Sequence, residues 1–199
     1  MEDWGNLDPK KRELILEQYL ILLVGAAESP VPTNLHLHKE FFVLCNTAPK
    51  LSEIIRFEKH MYGPYSPDLN EAIKSPAFYP DAFEYHVCEL PLVGKMIVNI
   101  ALTTDGRKIF DELVAKYSWN PTFREFMSIA KAVRMLYDPL TVQELLLLVY
   151  STFGDWAKRS VVYNEVMSAE FRKKVAEGLL KKGVITKERY RELVEAKVW

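Results

Sequence analysis

The stretch Tyr62-Gly63-Pro64-Tyr65-Ser66-Pro67 decides how the rest of the chain is read. Its prolines, glycine and tyrosines make a stiff aromatic corner. Pro64 and Pro67 hold φ at about −65°, and Gly63 accepts backbone angles that other residues resist. Ser66 suits a helix N-cap and Pro67 a first helical position. The corner therefore predicts a passage from a strand over residues 57–61 into a short helix over residues 68–73. What it presents there, a DNA-reading helix or a packed joint, is the functional question.

On the N-terminal side, Asp8 and Pro9 open a helix whose second half, residues 19–24, is apolar all round and so predicted to be buried on every side. Gly25 and Pro30 end it. Pro30-Val31-Pro32-Thr33-Asn34 reads as a stiff linker. Residues 35–45 follow as a helix with Leu35, Phe42 and Leu44 inward and Lys39 outward, and residues 50–57 as a short helix or turn. On the C-terminal side, Pro76 and Pro80 mark a loop. Residues 83–90 and 96–102 are the clearest strands, the second alternating Met96, Val98, Ile100 and Leu102 on one face. Gly94-Lys95 suits a tight turn between them. Thr103 caps a helix with Ile109, Phe110, Leu113, Val114 and Tyr117 as its stripe. Beyond Trp119-Asn120-Pro121 the outlook is helical, over residues 122–137, 141–151, 168–182 and 186–197. Thr141 and Glu144 are spaced as a capping box.

Helices, a strand, a short helix and a two-stranded hairpin, in that order, make the plan of a winged helix. The expected fold is α+β, mainly α: a winged-helix core with a β-hairpin wing over residues 8–118, and a C-terminal helical extension over residues 119–199.

Composition allows such a core, with 49% apolar residues in 199 and a net charge of −1. Near-neutrality argues against a chain coated in basic residues for nucleic acid. Cys45 and Cys88 form no C-x-x-C pair, and the first residues lack a basic and apolar leader, so a reduced, cytoplasmic protein is expected. The longest apolar run, residues 19–27, is far short of a membrane span. Glutamine occurs only at Gln18 and Gln143 among many Lys and Glu, a balance that leans toward a thermophile.

Three segments carry a resemblance to a known family. They are Leu35-His36-Leu37-His38-Lys39-Glu40-Phe41-Phe42, then Tyr62-Gly63-Pro64-Tyr65-Ser66-Pro67-Asp68-Leu69, and Thr141-Val142-Gln143-Glu144-Leu145-Leu146 with Val149-Tyr150. Together they resemble the YwgA-like family of prokaryotic proteins and, more distantly, the SocA-like antitoxin (Panacea) domain. The likeness spans roughly residues 10–160, with the central motif its specific part. It implies a helical domain of winged-helix character and a regulatory flavour. No catalytic residues belong to the family, so none carry over.

Candidate contact residues are Lys39, Tyr62, Tyr65, Asn70, Lys74, Lys95, Lys158 and Arg159. A helix that reads DNA offers Arg, Lys, Asn or Gln to bases and phosphates. The one after Pro67 offers Asp68, Asn70 and Glu71, with Lys74 at its end, so Tyr62 and Tyr65 are expected as packed anchors. The wing tip, Pro91-Leu92-Val93-Gly94-Lys95, has one lysine and an apolar character suited to a partner. From Ser151 onward eleven Lys or Arg face seven Asp or Glu, densest at Lys158-Arg159 and Arg172-Lys173-Lys174; helical spacing makes this a solvated face first. His36 and His38, two apart on a helix, do not converge on one ion, and His86 with Cys88 gives two ligands where zinc takes three or four. No metal, cofactor or enzymatic motif is expected. The expected partners are double-stranded DNA or another protein, a second copy included, and no membrane. Analogy of fold puts DNA-associated regulation first, with a winged-helix protein-contact module of antitoxin-like or assembly role as the alternative.

Overall fold

The computed structural model describes residues 7–90 and 94–195. It is α+β and mainly helical, with a small antiparallel sheet. The chain divides into two compact units. One holds the residues up to Phe57 together with Ser66–Asp138; the other holds Glu58–Tyr65 together with the residues from Pro139 onward. The division anticipated at residues 118/119 lies inside the first unit, because the helix α5 (Pro121–Tyr137) packs against the helices α1 (Pro9–Gly25) and α2 (Asn34–Thr47).

The first unit begins with α1 (Pro9–Gly25), capped by the Asp8 carboxylate on the Lys10 and Lys11 amides. Leu20, Ile21, Leu22, Leu23 and Val24 are all buried, as an all-round apolar segment demands. The stretch after Pro30 is not a linker but a strand, β1 (Val31–Thr33), and Thr33 caps α2 (Asn34–Thr47) through the His36 amide. A 3-10 turn (Pro49–Glu53) and α3 (Pro67–Lys74) follow. Ser66 caps α3 by accepting from the Leu69 amide at 3.2 Å. Strands β4 (Phe83–Leu90) and β5 (Gly94–Leu102) form the hairpin, and α4 (Thr104–Tyr117), capped by Thr103, precedes α5. The sheet order is β1-β5-β4, all antiparallel.

The sheet differs from expectation in three ways. Its third strand is β1, not residues 57–61. Gly94 and Lys95 do not turn but pair with Leu90 and Glu89 inside the sheet, and the tip residues 91–93 lie outside the described residues. The strict alternation in β5 is broken. Between Glu84↔Ala101 and His86↔Val98 the register slips, and Asn99 takes φ 54°. This extra residue places Ile97 and Ile100, three apart, among the buried side chains.

In the second unit, β2 (Glu58–His60) pairs with β3 (Gly63–Tyr65) as a small hairpin. Around it lie α6 (Val142–Thr152), two single turns α7 (Gly154–Ala157) and α8 (Tyr163–Val166), α9 (Ala169–Lys181) and α10 (Lys187–Glu195). The Thr141–Glu144 capping box is present. Gly183, at φ 70°, ends α9, and the Thr186 hydroxyl accepts from the Arg189 amide. Leu145, Leu146, Val149, Tyr150, Ala176, Leu179 and Leu193 form the core. No helix of the described residues is long and apolar enough to cross a membrane.

Candidate interaction surface

The corner motif is split between the units: Tyr62 to Tyr65 go with the second and Ser66-Pro67 with the first. In the second unit the motif is the turn and return strand of the β2–β3 hairpin. Gly63 sits at φ 85°, and a Cβ there would meet the Tyr150 ring at 2.9 Å, so both backbone and space call for glycine. Tyr150 is the buried anchor, 1% exposed, with its hydroxyl 2.7 Å from Ser160 Oγ and its ring 6.0 Å from that of Tyr163. Burial, offset only in part by the Ser160 bond, pushes the Tyr150 hydroxyl up to about 12, so it stays neutral. Tyr62 and Tyr65, expected as packed anchors, are half-buried; Tyr65 lies against the exposed His60 ring at 4.7 Å.

One further bond joins the hairpin to the segment after α7: the Val161 amide donates to the Met61 carbonyl at 3.0 Å. Both side chains nevertheless face solvent, Met61 at 50% and Val161 at 64% exposure. Basic residues lie close to them in sequence. Lys59, Lys158 and Arg159 are exposed, and Lys158 pairs with Asp155 at 2.6 Å. The Lys158 bond and charge, with help from Lys59, hold the Asp155 carboxyl below its ordinary value. The second unit thus holds Tyr62, Tyr65, Lys158 and Arg159 from the sequence-based set together with two exposed apolar residues joined by a backbone bond, Met61 and Val161, that sequence reading missed. A large apolar residue at a hairpin turn was the available signal.

The other candidates are in the first unit. Lys39, expected outward, is 1% exposed, and burial draws its ammonium down to about 7. That removes it as a surface contact. Asn70 is half-buried, Lys74 and Glu71 are exposed, and Asp68 is engaged by Arg12 at 3.0 Å. The backbone of Lys95 continues β5, while its side chain lies outside the described residues. On α9, Lys173 and Lys174 are exposed with Glu177 and Lys181 one turn on, while Arg172 is buried and donates to the Leu193 carbonyl.

Ser66 is fully committed as a cap, its own amide donating to His38 Nδ1 at 3.3 Å. His36 Nδ1 is bonded to the Thr33 hydroxyl, and burial raises the Cys45 thiol to about 12, far from a reactive thiolate. Among the described residues no group of three or more His, Cys, Asp or Glu is placed to hold a metal ion. No protein-family model matches this chain, and no curated protein matches it.

Proposed function

We propose that the chain is a protein-contact module, with a winged-helix-like first unit and a contact surface centred on Met61 and Val161. The carrying observation is that pair: two large apolar side chains half or more exposed on a backbone held rigid by the Val161–Met61 bond, the Gly63 turn and buried Tyr150. Apolar side chains fixed in place favour association, because burying them releases water at little conformational cost. The order α1-β1-α2-α3-β4-β5 with sheet order β1-β5-β4 supports the winged-helix part of the reading. The resemblance to YwgA-like proteins rests on the motifs alone and agrees with it.

The same topology favours the second reading, a DNA-binding regulator, but the chemistry weighs against it. The outward residues of α3 are Pro67, Glu71 and Lys74, with Asn70 half-covered. Duplex binding draws most of its affinity from cations placed on phosphates, and this helix offers one cation, Lys74, against two anions, Glu71 and the Arg12-paired Asp68. A photo-crosslinking side chain at position 61, used in cells, distinguishes the readings. The module predicts one dominant crosslinked protein, lost with Val161→Asp. Titration with random duplex at low salt gives the opposing outcome: binding that Lys74→Glu abolishes would replace this proposal with the second reading.

A further inference from the structure

The densest buried polar cluster of the first unit joins α1, α2 and α5, and its charges do not balance. Arg134, wholly buried, is almost saturated. Its Nε donates to both Asp138 oxygens at 2.9 and 3.0 Å, one terminal nitrogen to the Leu23 and Val24 carbonyls at 3.1 and 2.7 Å, and the other to the Ser29 carbonyl. A guanidinium has five N–H groups, so little donor capacity remains. Glu40, also wholly buried, faces the same Nε at 3.7 Å, beyond hydrogen-bond length, and neither of its oxygens accepts a hydrogen bond. Two carboxyl groups thus share one cation: Glu40 is wholly buried, while Asp138 is partly exposed and also accepts from the Ser29 hydroxyl at 3.2 Å. With both ionised the site would hold a net negative charge and a bare carboxylate, an arrangement that proteins avoid by keeping a proton.

We propose that Glu40 is held as the neutral acid, its proton directed toward Asp138, and that this proton is the latch by which α2 is tied to α5 and to the end of α1. Burial first, then the Asp138 charge, raises its proton affinity well above that of an ordinary carboxyl, against the opposing pull of Arg134. Groups elsewhere on the packed elements do not supply the missing charge. β1 has no titratable side chain, β5 has only Lys95 at its outer end, and Lys50 of the 3-10 turn is exposed. On α2 itself, His36 is bonded to Thr33, and Lys39 stands about 100° around the helix. When the proton leaves, two anions confront one saturated cation and the latch loosens.

The sign of the linkage is fixed. A carboxyl whose proton is held more tightly in the fold than in the unfolded chain stabilises fully below the unfolded carboxyl range, about pH 4, and that stability drains away as pH rises through its folded value. Denaturant unfolding of the full chain and of Glu40→Gln across pH isolates the effect. Wild type minus variant falls with rising pH with the slope of one proton; a flat difference overturns the proposal. Infrared spectroscopy gives a second readout. At neutral pH the wild type shows the carbonyl band of a protonated acid that Glu40→Gln lacks, and no such band, or a band unchanged by the substitution, overturns it. Should Glu40→Gln not fold, Asp138→Asn serves: it removes the carboxylate toward which the Glu40 proton is directed, so the acid band shifts in frequency or disappears, and a band unchanged in position and intensity refutes the sharing.

Discussion

Glu17 shows how far a single side chain departs from its sequence context. It sits among Lys10, Lys11, Arg12 and Glu13 on α1, where charge reads as a solvent face, yet it is wholly buried. Its carboxylate accepts from the amides of Ala77, Phe78 and Tyr79 and so pins the loop between α3 and β4. Charge-assisted bonds of this kind are the stronger class, and removing the acceptor strands three amides. Glu17→Ala is expected to cost about 3 kcal/mol in chemical denaturation, with faster hydrogen exchange confined to residues 77–79. Lys39 is the converse case, a buried cation. Because its folded proton affinity is lowered to about 7, the unfolded chain holds the proton more tightly from there up to the ordinary lysine range. Stability from this group therefore rises with pH across that window. Lys39→Met is expected to stabilise at pH 6 by a few kcal/mol, with the gain over wild type shrinking as pH climbs to about 10. Neither burial was legible in the sequence, since position on a helix face says which residues share a side but not what covers it.

Elements were legible where the chain carries its own punctuation. Asp8, Ser66, Thr103 and Thr141 all cap the helices they were expected to cap, because an N-cap is a local contract between a side chain and an amide two or three residues on. β4 was legible end to end. β1 was not: three residues, Pro32 in their middle and Pro30 before them, have no periodicity of their own and become a strand only because β5 offers them a partner. Likewise the residues expected as the third strand found a nearer partner in the motif itself. The bulge in β5 was invisible for the same reason, though Asn is the side chain that best tolerates its left-handed backbone. Two substitutions test that position. Asn99→Gly is expected to be neutral or slightly stabilising, while Asn99→Val, β-branched at positive φ, is expected to lower the melting transition by an equivalent of about 1–2 kcal/mol.

For the whole molecule, the candidate surface was half legible. Lys158 and Arg159 were chosen for charge and Tyr62 and Tyr65 for the motif, and the fold gathers all four on the second unit. The apolar pair was missed because Val161 becomes a neighbour of Met61 only through contacts 100 residues apart. Of Lys39, Asn70 and Lys74, all in the first unit, Lys39 is buried, Asn70 half-buried and Lys74 exposed. The second unit is also discontinuous, since Gly63 packs against Tyr150 across most of the first unit's sequence. A fragment of residues 139–199 exposes the Tyr150 ring, and its helix content by circular dichroism is expected to melt without a cooperative transition. A peptide of residues 57–66, added in excess, is expected to restore part of the transition, and Gly63→Val in that peptide to abolish the rescue.

That discontinuity has a consequence during synthesis. The hairpin leaves the ribosome as the chain passes Tyr65, but its partner does not begin until Pro139. At elongation rates of about 5–20 residues per second the gap of 73 residues corresponds to a wait of about 4–15 s. For that interval the tyrosines and Met61 are without the helices of their own unit, while the residues of the first unit are being made. The nascent chain therefore has a built-in order of assembly, and a programmed pause placed between those two points would lengthen the time in which a chaperone meets the hairpin bare.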